Sequence, residues 1–360
     1  MRSAVLGTSV IALAFLLCGA APAPVMPAPE ITVHLIDDYL VPRFAKLDRE
    51  TKALADDLAA GCAGDKARLD RARGNFERTV IAWAGVEFLR FGPMGVTGRP
   101  ERFSYWPDPR GVTSRQMQAL ISRRDPSALD AAMLEKKSAA VQGLTVLEAL
   151  LTDKEHPLDG ADEESRYRCG FAVAVARNLS GISGALLGEW NGDDGWRNRM
   201  LHPGPDNQSY KSAAEPPSEF ARALITGLQM VQDREVAPLI AAEASPGKPL
   251  MLPFKRSGLE APYAAEGIGS LKQLYGLLGL AKFAPKDKAW MPDWIATAFN
   301  RLAADAPAAI KAAPGSVDVK ERERQLRMLR FHLDGIRKIV GRELAPDAGL
   351  TVGFNELDGD

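Results

Sequence analysis

Several polar side chains fall where a helical pattern calls for apolar ones. In the stretch Ser138-Ala-Ala-Val-Gln-Gly-Leu-Thr-Val-Leu-Glu-Ala-Leu-Leu151, Val141 and Leu144 share one helical face and Glu148 extends that face by a turn. Upstream, Trp83 is followed four residues later by Glu87 and three later by Arg90, so an inner stripe turns polar at its end. An ionised carboxylate on a largely apolar face is costly unless paired. Arg90, Arg256 or a buried water is the expected partner of Glu148. If these stretches meet Tyr105-Trp-Pro-Asp108 and Pro253-Phe-Lys-Arg-Ser257, they form a polar pocket of Glu87, Arg90, Trp106, Asp108, Gln142, Glu148, Arg256 and Ser257. The alternative is that the same pairs only pin helices and a loop together; spacing alone favours it.

Other chemistry lacks its residues. There is no glycine-rich phosphate loop, no haem-attachment Cys-x-x-Cys-His and no His-Glu-x-x-His. The four histidines, His34, His156, His202 and His332, are scattered, and His332 and Asp334, two apart, do not share a helical face. The terminal Asp358-Gly-Asp360 lacks the closing glutamate and following helix of a calcium loop and reads as a docked acidic tail. A formal net charge of −1 gives no field for nucleic acid or an anionic membrane.

The quoted stretches, together with Trp83-Ala-Gly-Val-Glu-Phe-Leu-Arg-Phe-Gly-Pro93, resemble the imelysin-like family of bacterial periplasmic proteins, whose name is shared by a peptidase class. The resemblance runs over nearly the whole mature chain, to Gly353-Phe-Asn-Glu-Leu-Asp-Gly-Asp360. Its best-known members carry Gly-x-His-x-x-Glu where this chain has Gly143-Leu-Thr-Val-Leu-Glu148, so Thr145 stands at the histidine position. The resemblance implies two helical bundles in tandem, a site near their join that includes Thr145, and a link to iron uptake. It points to a non-enzymatic role: binding a small ligand, or a periplasmic or outer-membrane iron-uptake partner, with no cofactor. A metal-dependent peptidase is the alternative. Zinc catalysis needs about three protein ligands and an open position, and Thr145 offers only a hydroxyl. Glu148, alone or with Glu87 and Asp108, would hold no more than a hard cation, weakly. A purely structural scaffold is a third reading.

The elements that must position these residues read as helices throughout, giving an all-α class. Val33, Ile36, Leu40, Phe44, Leu47, Leu54 and Leu58 mark one long helix that Pro42 should bend or break near Val41. A second runs from about Asp65 through Leu69, Ala72, Phe76, Val80 and Trp83 to stop by Gly92-Pro93. After a short helix around Ser114–Arg123, Asp125-Pro-Ser opens a helix expected to carry Leu129, Met133, Ala140, Leu147 and Leu151 without interruption. Further helices are expected from about Glu163, around Phe220–Leu239, and around Ile268–Leu280, Trp290–Ala303 and Val319–Val340.

Arg2, the apolar run Val10 to Leu17 and the small residues after it are the marks of a secretory signal, residues 1–23. Leu16-Leu-Cys-Gly19 hints at lipidation of Cys18, but Leu17 is large for that motif. No later run is apolar for the roughly 20 residues a membrane helix needs. Export leaves Cys62 and Cys169 as an even pair in an oxidising compartment, read as a disulfide, with two buried free thiols as the alternative. The roughly 335 remaining residues suggest two domains. Their boundary falls in the Gly-, Asn-, Asp- and Pro-rich segment Asn191–Pro217, giving bundles at 24–205 and 206–360.

Overall fold

Pro42 does not break the first helix. In the computed structural model, which describes residues 26–96, 98–245, 249–312 and 318–353, α1 (Ala28–His34) runs through a π-helical turn, Leu35–Leu40, into α2 (Val41–Cys62). The proline ring would clash with the carbonyl of the preceding turn. Widening that turn removes the clash: the Val41 N–H reaches back five residues, to the Ile36 carbonyl. Leu35, Ile36, Tyr39, Leu40, Phe44 and Leu47 stay buried across the junction. The same device recurs. A π turn at Gln232–Val236 precedes Pro238, and another at Val340–Leu344 precedes Pro346, each closed by a five-residue reach.

Asp65 caps α3 (Lys66–Ala84), its carboxylate accepting from the Arg68 N–H at 3.1 Å. This helix ends at Ala84, earlier than the expected stop at Gly92-Pro93, so Glu87 and Arg90 sit in the turn beyond it and not on its stripe. Val86, Phe88 and Leu89 are buried alongside Glu87. A continuing helix would turn some of these side chains outward, whereas a tight turn buries all of them.

After a short 3-10 turn come α4 (Arg99–Phe103) and α5 (Val112–Arg123). The expected continuous helix from Asp125 to Leu151 is broken into pieces, chiefly α6 (Ala131–Leu134) and α7 (Leu144–Thr152), with 3-10 turns at Pro126–Ala128 and Ala139–Val141. The cause is local. Asp125, Asp130 and Ser138 each turn a side-chain oxygen onto a backbone N–H two or three residues on, restarting the chain each time.

Asp162 caps the 29-residue α8 (Glu163–Asn191), which is followed by α9 (Trp196–Leu201). The helical run Glu163–Leu201 is long and apolar enough by composition to cross a membrane, unlike the expectation from sequence. More than half of its most apolar window is buried in the protein, as befits a core helix. The remaining helices are α10 (Glu215–Val231), α11 (Ala237–Ala244), α12 (Glu260–Leu278), α13 (Met291–Lys311) and α14 (Val319–Ile339). Among the described residues there is no strand.

α2 packs against both α3 and α8, while α12 packs on α10 and α13, and α13 on α14. The two groups share one continuous hydrophobic core. α3 packs against α12, and the Tyr39 hydroxyl donates to the Ser270 carbonyl at 2.9 Å. Cys62, the last residue of α2, is disulfide-bonded to Cys169 of α8, with their Cα atoms 5.7 Å apart. The expected signal segment with Cys18, and the acidic tail Asp358-Gly-Asp360, lie outside the described residues.

Candidate ligand-binding cavity

Gly143 explains how α7 is placed. A Cβ at this position would lie 2.5 Å from the Phe103 carbonyl oxygen and 2.8 Å from that of Arg102, so no side chain fits against this backbone. The close approach sets Thr145 beside the aromatic segment, where its hydroxyl donates to the Tyr105 carbonyl at 3.3 Å. Leu144, Val146, Leu147 and Leu150 anchor the helix in the core.

Glu148, one turn on, is 5 % exposed. One of its oxygens, Oε1, accepts from the Ser257 backbone N–H at 3.0 Å and from the Ser257 hydroxyl at 2.8 Å. Burial raises its pKa; the two Ser257 hydrogen bonds and the nearby charge of Arg256 oppose this without cancelling it. The loop that brings Ser257 in has Phe254 in the left-handed region (φ 54°), which costs a non-glycine residue about 1–2 kcal/mol. The Phe254 ring offsets that cost by packing edge-on to Phe76 and 5.0 Å from Tyr263.

Asp108 is also buried, but its environment acts oppositely. Burial would raise its pKa; the N–H groups of Val112 and Thr113, each 2.8 Å from a carboxylate oxygen, outweigh burial and hold it below the usual aspartate range. It thereby caps α5.

A cavity of about 430 Å³ lies among these groups. Of the residues expected at a shared pocket, Trp106, Asp108, Thr145, Glu148 and Arg256 line it. Ser257 acts behind the wall, fixing Glu148. The other three are elsewhere. Arg90 pairs with Glu101 at 2.9 Å and is not the partner of Glu148. Gln142, 1 % exposed, donates to the Glu135 and Lys137 carbonyls and accepts from Arg102 Nε at 3.0 Å, a latch between segments. Glu87 belongs to a second buried polar centre: it pairs with Arg234 at 3.0 Å and accepts from the Tyr263 hydroxyl.

Glu235 adjoins that centre, with Oε2 lacking a hydrogen-bond partner among the described residues. Burial, reinforced by the charge of Glu87, pushes its pKa well above the ordinary glutamate range. Sequence reasoning missed Arg234 and Glu235; the one signal was an adjacent charged pair four residues before a helix-interior Pro238. It also missed Lys255, Thr113 and Leu252 of the cavity wall. Lys255 was within reach, since it lies inside the segment quoted for its neighbours.

Among the described residues, no three His, Cys, Asp or Glu side chains come together as a metal-ligand set. His34 lies 2.7 Å from Asp38 and His156 lies 3.7 Å from Glu164, both at the surface. His332 lies between α13 and α14, away from Glu148.

The fold and site together define an all-helical protein whose cavity is walled by the start of α7, the segment before α5 and the loop before α12. The chain belongs to the imelysin family: the family model for imelysin (peptidase M75) matches residues 40–279, which include every residue of the cavity wall. An imelysin-like protein from Psychrobacter arcticum 273-4 has a similar structure, with a TM-score of 0.68 at 20 % identity, over 91 % of this chain and 97 % of that one. A candidate iron-regulated protein A precursor from Parabacteroides distasonis ATCC 8503 is also similar, with a TM-score of 0.60 at 13 % identity, over 89 % and 96 % of the two chains. At these identities the likeness is one of fold. No curated protein matches the chain.

Proposed function

We propose that this protein is an exported, periplasmic imelysin that binds a small ligand between two helical bundles, serves iron uptake, and does not cleave peptides. The observation that carries this reading is the state of Glu148. It is buried at a cavity, and its Oε1 is engaged by both donors of Ser257, with a threonine in place of the motif's imidazole. With Oε1 so held and no imidazole beside it, Glu148 lacks the partner that the motif's ligand pair would need. Imidazole anchors zinc or iron near neutral pH and serves as a general base; a threonine hydroxyl does neither. The iron connection is supported by the name of the Parabacteroides protein of similar fold. The bundle arrangement is supported by cavity walls drawn from residues before 150 and after 249.

Elemental analysis of protein purified without chelator, with proteolysis of an unfolded substrate, tests the reading. Substoichiometric zinc and iron and no cleavage are expected. Near-stoichiometric metal, with cleavage lost in Glu148→Ala, would establish the peptidase. Thr145→His should raise zinc affinity if a histidine here reaches the geometry of the family motif. N-terminal sequencing of periplasmic protein should begin within a few residues of Ala23; intact Met1 would refute export by a cleaved signal.

A further inference from the structure

A second hollow of about 320 Å³ adjoins the cavity over Glu148, and Trp106, Asp108 and Met251 line both. Both are mostly apolar, and the charges differ: Lys255 and Arg256 line only the first, whereas Asp233 and Arg234 line only the second, beside Met230 and Pro238. Met251, on the shared wall, remains 47 % exposed, an apolar side chain held out where the hollows meet. Among the described residues, neither Lys255 nor Arg256 has a carboxylate within 4.0 Å. Of the carboxylates nearby, Asp108 accepts from two N–H groups of α5 with its two oxygens, and Glu148 accepts from Ser257 with Oε1. In the second hollow Arg234 is countered by Glu87, and Asp233 accepts from Gln229 at 2.8 Å.

An anion would meet two cations that form no close ion pair among the described residues, Arg256 being only a longer-range counter-charge to Glu148. We infer that the two hollows are one groove for an elongated organic anion: its acid group sits with Lys255 and Arg256, and its apolar body crosses Trp106 and Met251 into the second hollow. The inference rests on the reading of the cavity as a ligand site and adds the chemical class of the ligand. The charged end supplies selection through charge-assisted hydrogen bonds to two exposed cations, which are stronger than those between neutral groups. The wall supplies affinity through apolar burial.

Two fluorescent probes that share a ring system separate these contributions: 1-anilinonaphthalene-8-sulfonate and its uncharged counterpart N-phenyl-1-naphthylamine. The mature chain should bind one anionic probe. Lys255→Ala with Arg256→Ala should weaken that probe by about tenfold or more, the scale of one lost charge-assisted contact, and leave the neutral probe within about twofold. Trp106→Ala should weaken both. Met251→Glu, an exposed and readily tolerated change, should also weaken the anionic probe. Dodecanoate should displace it more strongly than hexanoate does. If the double variant binds the anionic probe unchanged, or loses both probes equally, anion selection is refuted; the cavity reading survives provided Trp106→Ala still weakens binding. If Trp106→Ala and Met251→Glu change nothing, the ligand site proposed above falls as well. Equal displacement by the two fatty acids would refute the joining of the hollows.

Discussion

Glu148 is a carboxylate buried against hydrogen-bond donors that only partly replace its water. The raised pKa means that the folded protein holds this proton more tightly than the unfolded chain does. Stability from this group is therefore fully present below the ordinary glutamate value of 4.5 and is lost as pH rises through the higher folded value. Glu148→Gln keeps an oxygen for Ser257 and removes the titration. Denaturant unfolding of both proteins between pH 4 and 8 should show the variant gaining on the native chain as pH rises, with the difference smallest at the acid end. A gap independent of pH would mean that Glu148 does not titrate as its surroundings imply. Asp108 makes the contrast: it lies nearer the surface, so burial costs it less, and its two N–H donors turn its shift downward.

At the level of elements, glycine and proline act here through packing as much as through backbone preference. Gly143 has an ordinary negative φ of −114°, so its role is space: two carbonyl oxygens occupy the volume of a Cβ. Gly143→Ala should cost about 1–3 kcal/mol, the range for overpacking a tight contact, and should weaken ligand binding by moving α7. Gly181, in the middle of α8 with nothing within 4 Å of its Cβ position, gives the control. Gly181→Ala should stabilise by about 0.5–1 kcal/mol through helix propensity alone. Thermal melts of the two variants should move in opposite directions; a shared direction would refute the packing account. The π turn before Pro238 has a further consequence. It carries the neighbouring Arg234 and Glu235, both of which act on Glu87 in the interior centre.

Across the whole molecule, the Arg234 centre ties the turn after α3 to the chain after α10 and, through Tyr263, to α12. Arg234→Met would leave Glu87 and Glu235 buried without a cation. Breaking a buried pair from one side costs about 3–5 kcal/mol, and a loss of that order in urea denaturation at neutral pH is expected. Near-wild-type stability would refute the account of Arg234 as the cation that holds this centre together. The disulfide acts on the unfolded chain, closing a loop of 107 residues between α2 and α8. Its removal in Cys62→Ser with Cys169→Ser should cost about 2–5 kcal/mol, with little change in ligand affinity, since neither cysteine lines the cavity. Equal stability of the two forms would refute the loop-closure account.

The sequence by itself determined the all-α class, because a three-to-four residue apolar stripe is a property of each segment alone: Leu69, Ala72, Phe76, Val80 and Trp83 are buried as that stripe requires. It also pointed to the Cys62–Cys169 bond, which the structure contains, once Cys18 is assigned to the expected signal segment. It marked Trp106, Asp108, Thr145, Glu148 and Arg256, which the fold brings to one cavity. It could not assign partners. A stripe says which face of a helix is covered and nothing about what covers it, so Arg90 went to Glu101 and Glu87 to Arg234, 147 residues away. Nor could it end α3 at Ala84, because that stop depends on burying Val86, Phe88 and Leu89 together against other helices. The choice of Ser257 as the donor to Glu148 was likewise tertiary: it needs Phe254 held in a strained conformation by rings from α3 and α12, an energy balance that exists only once the chain has folded.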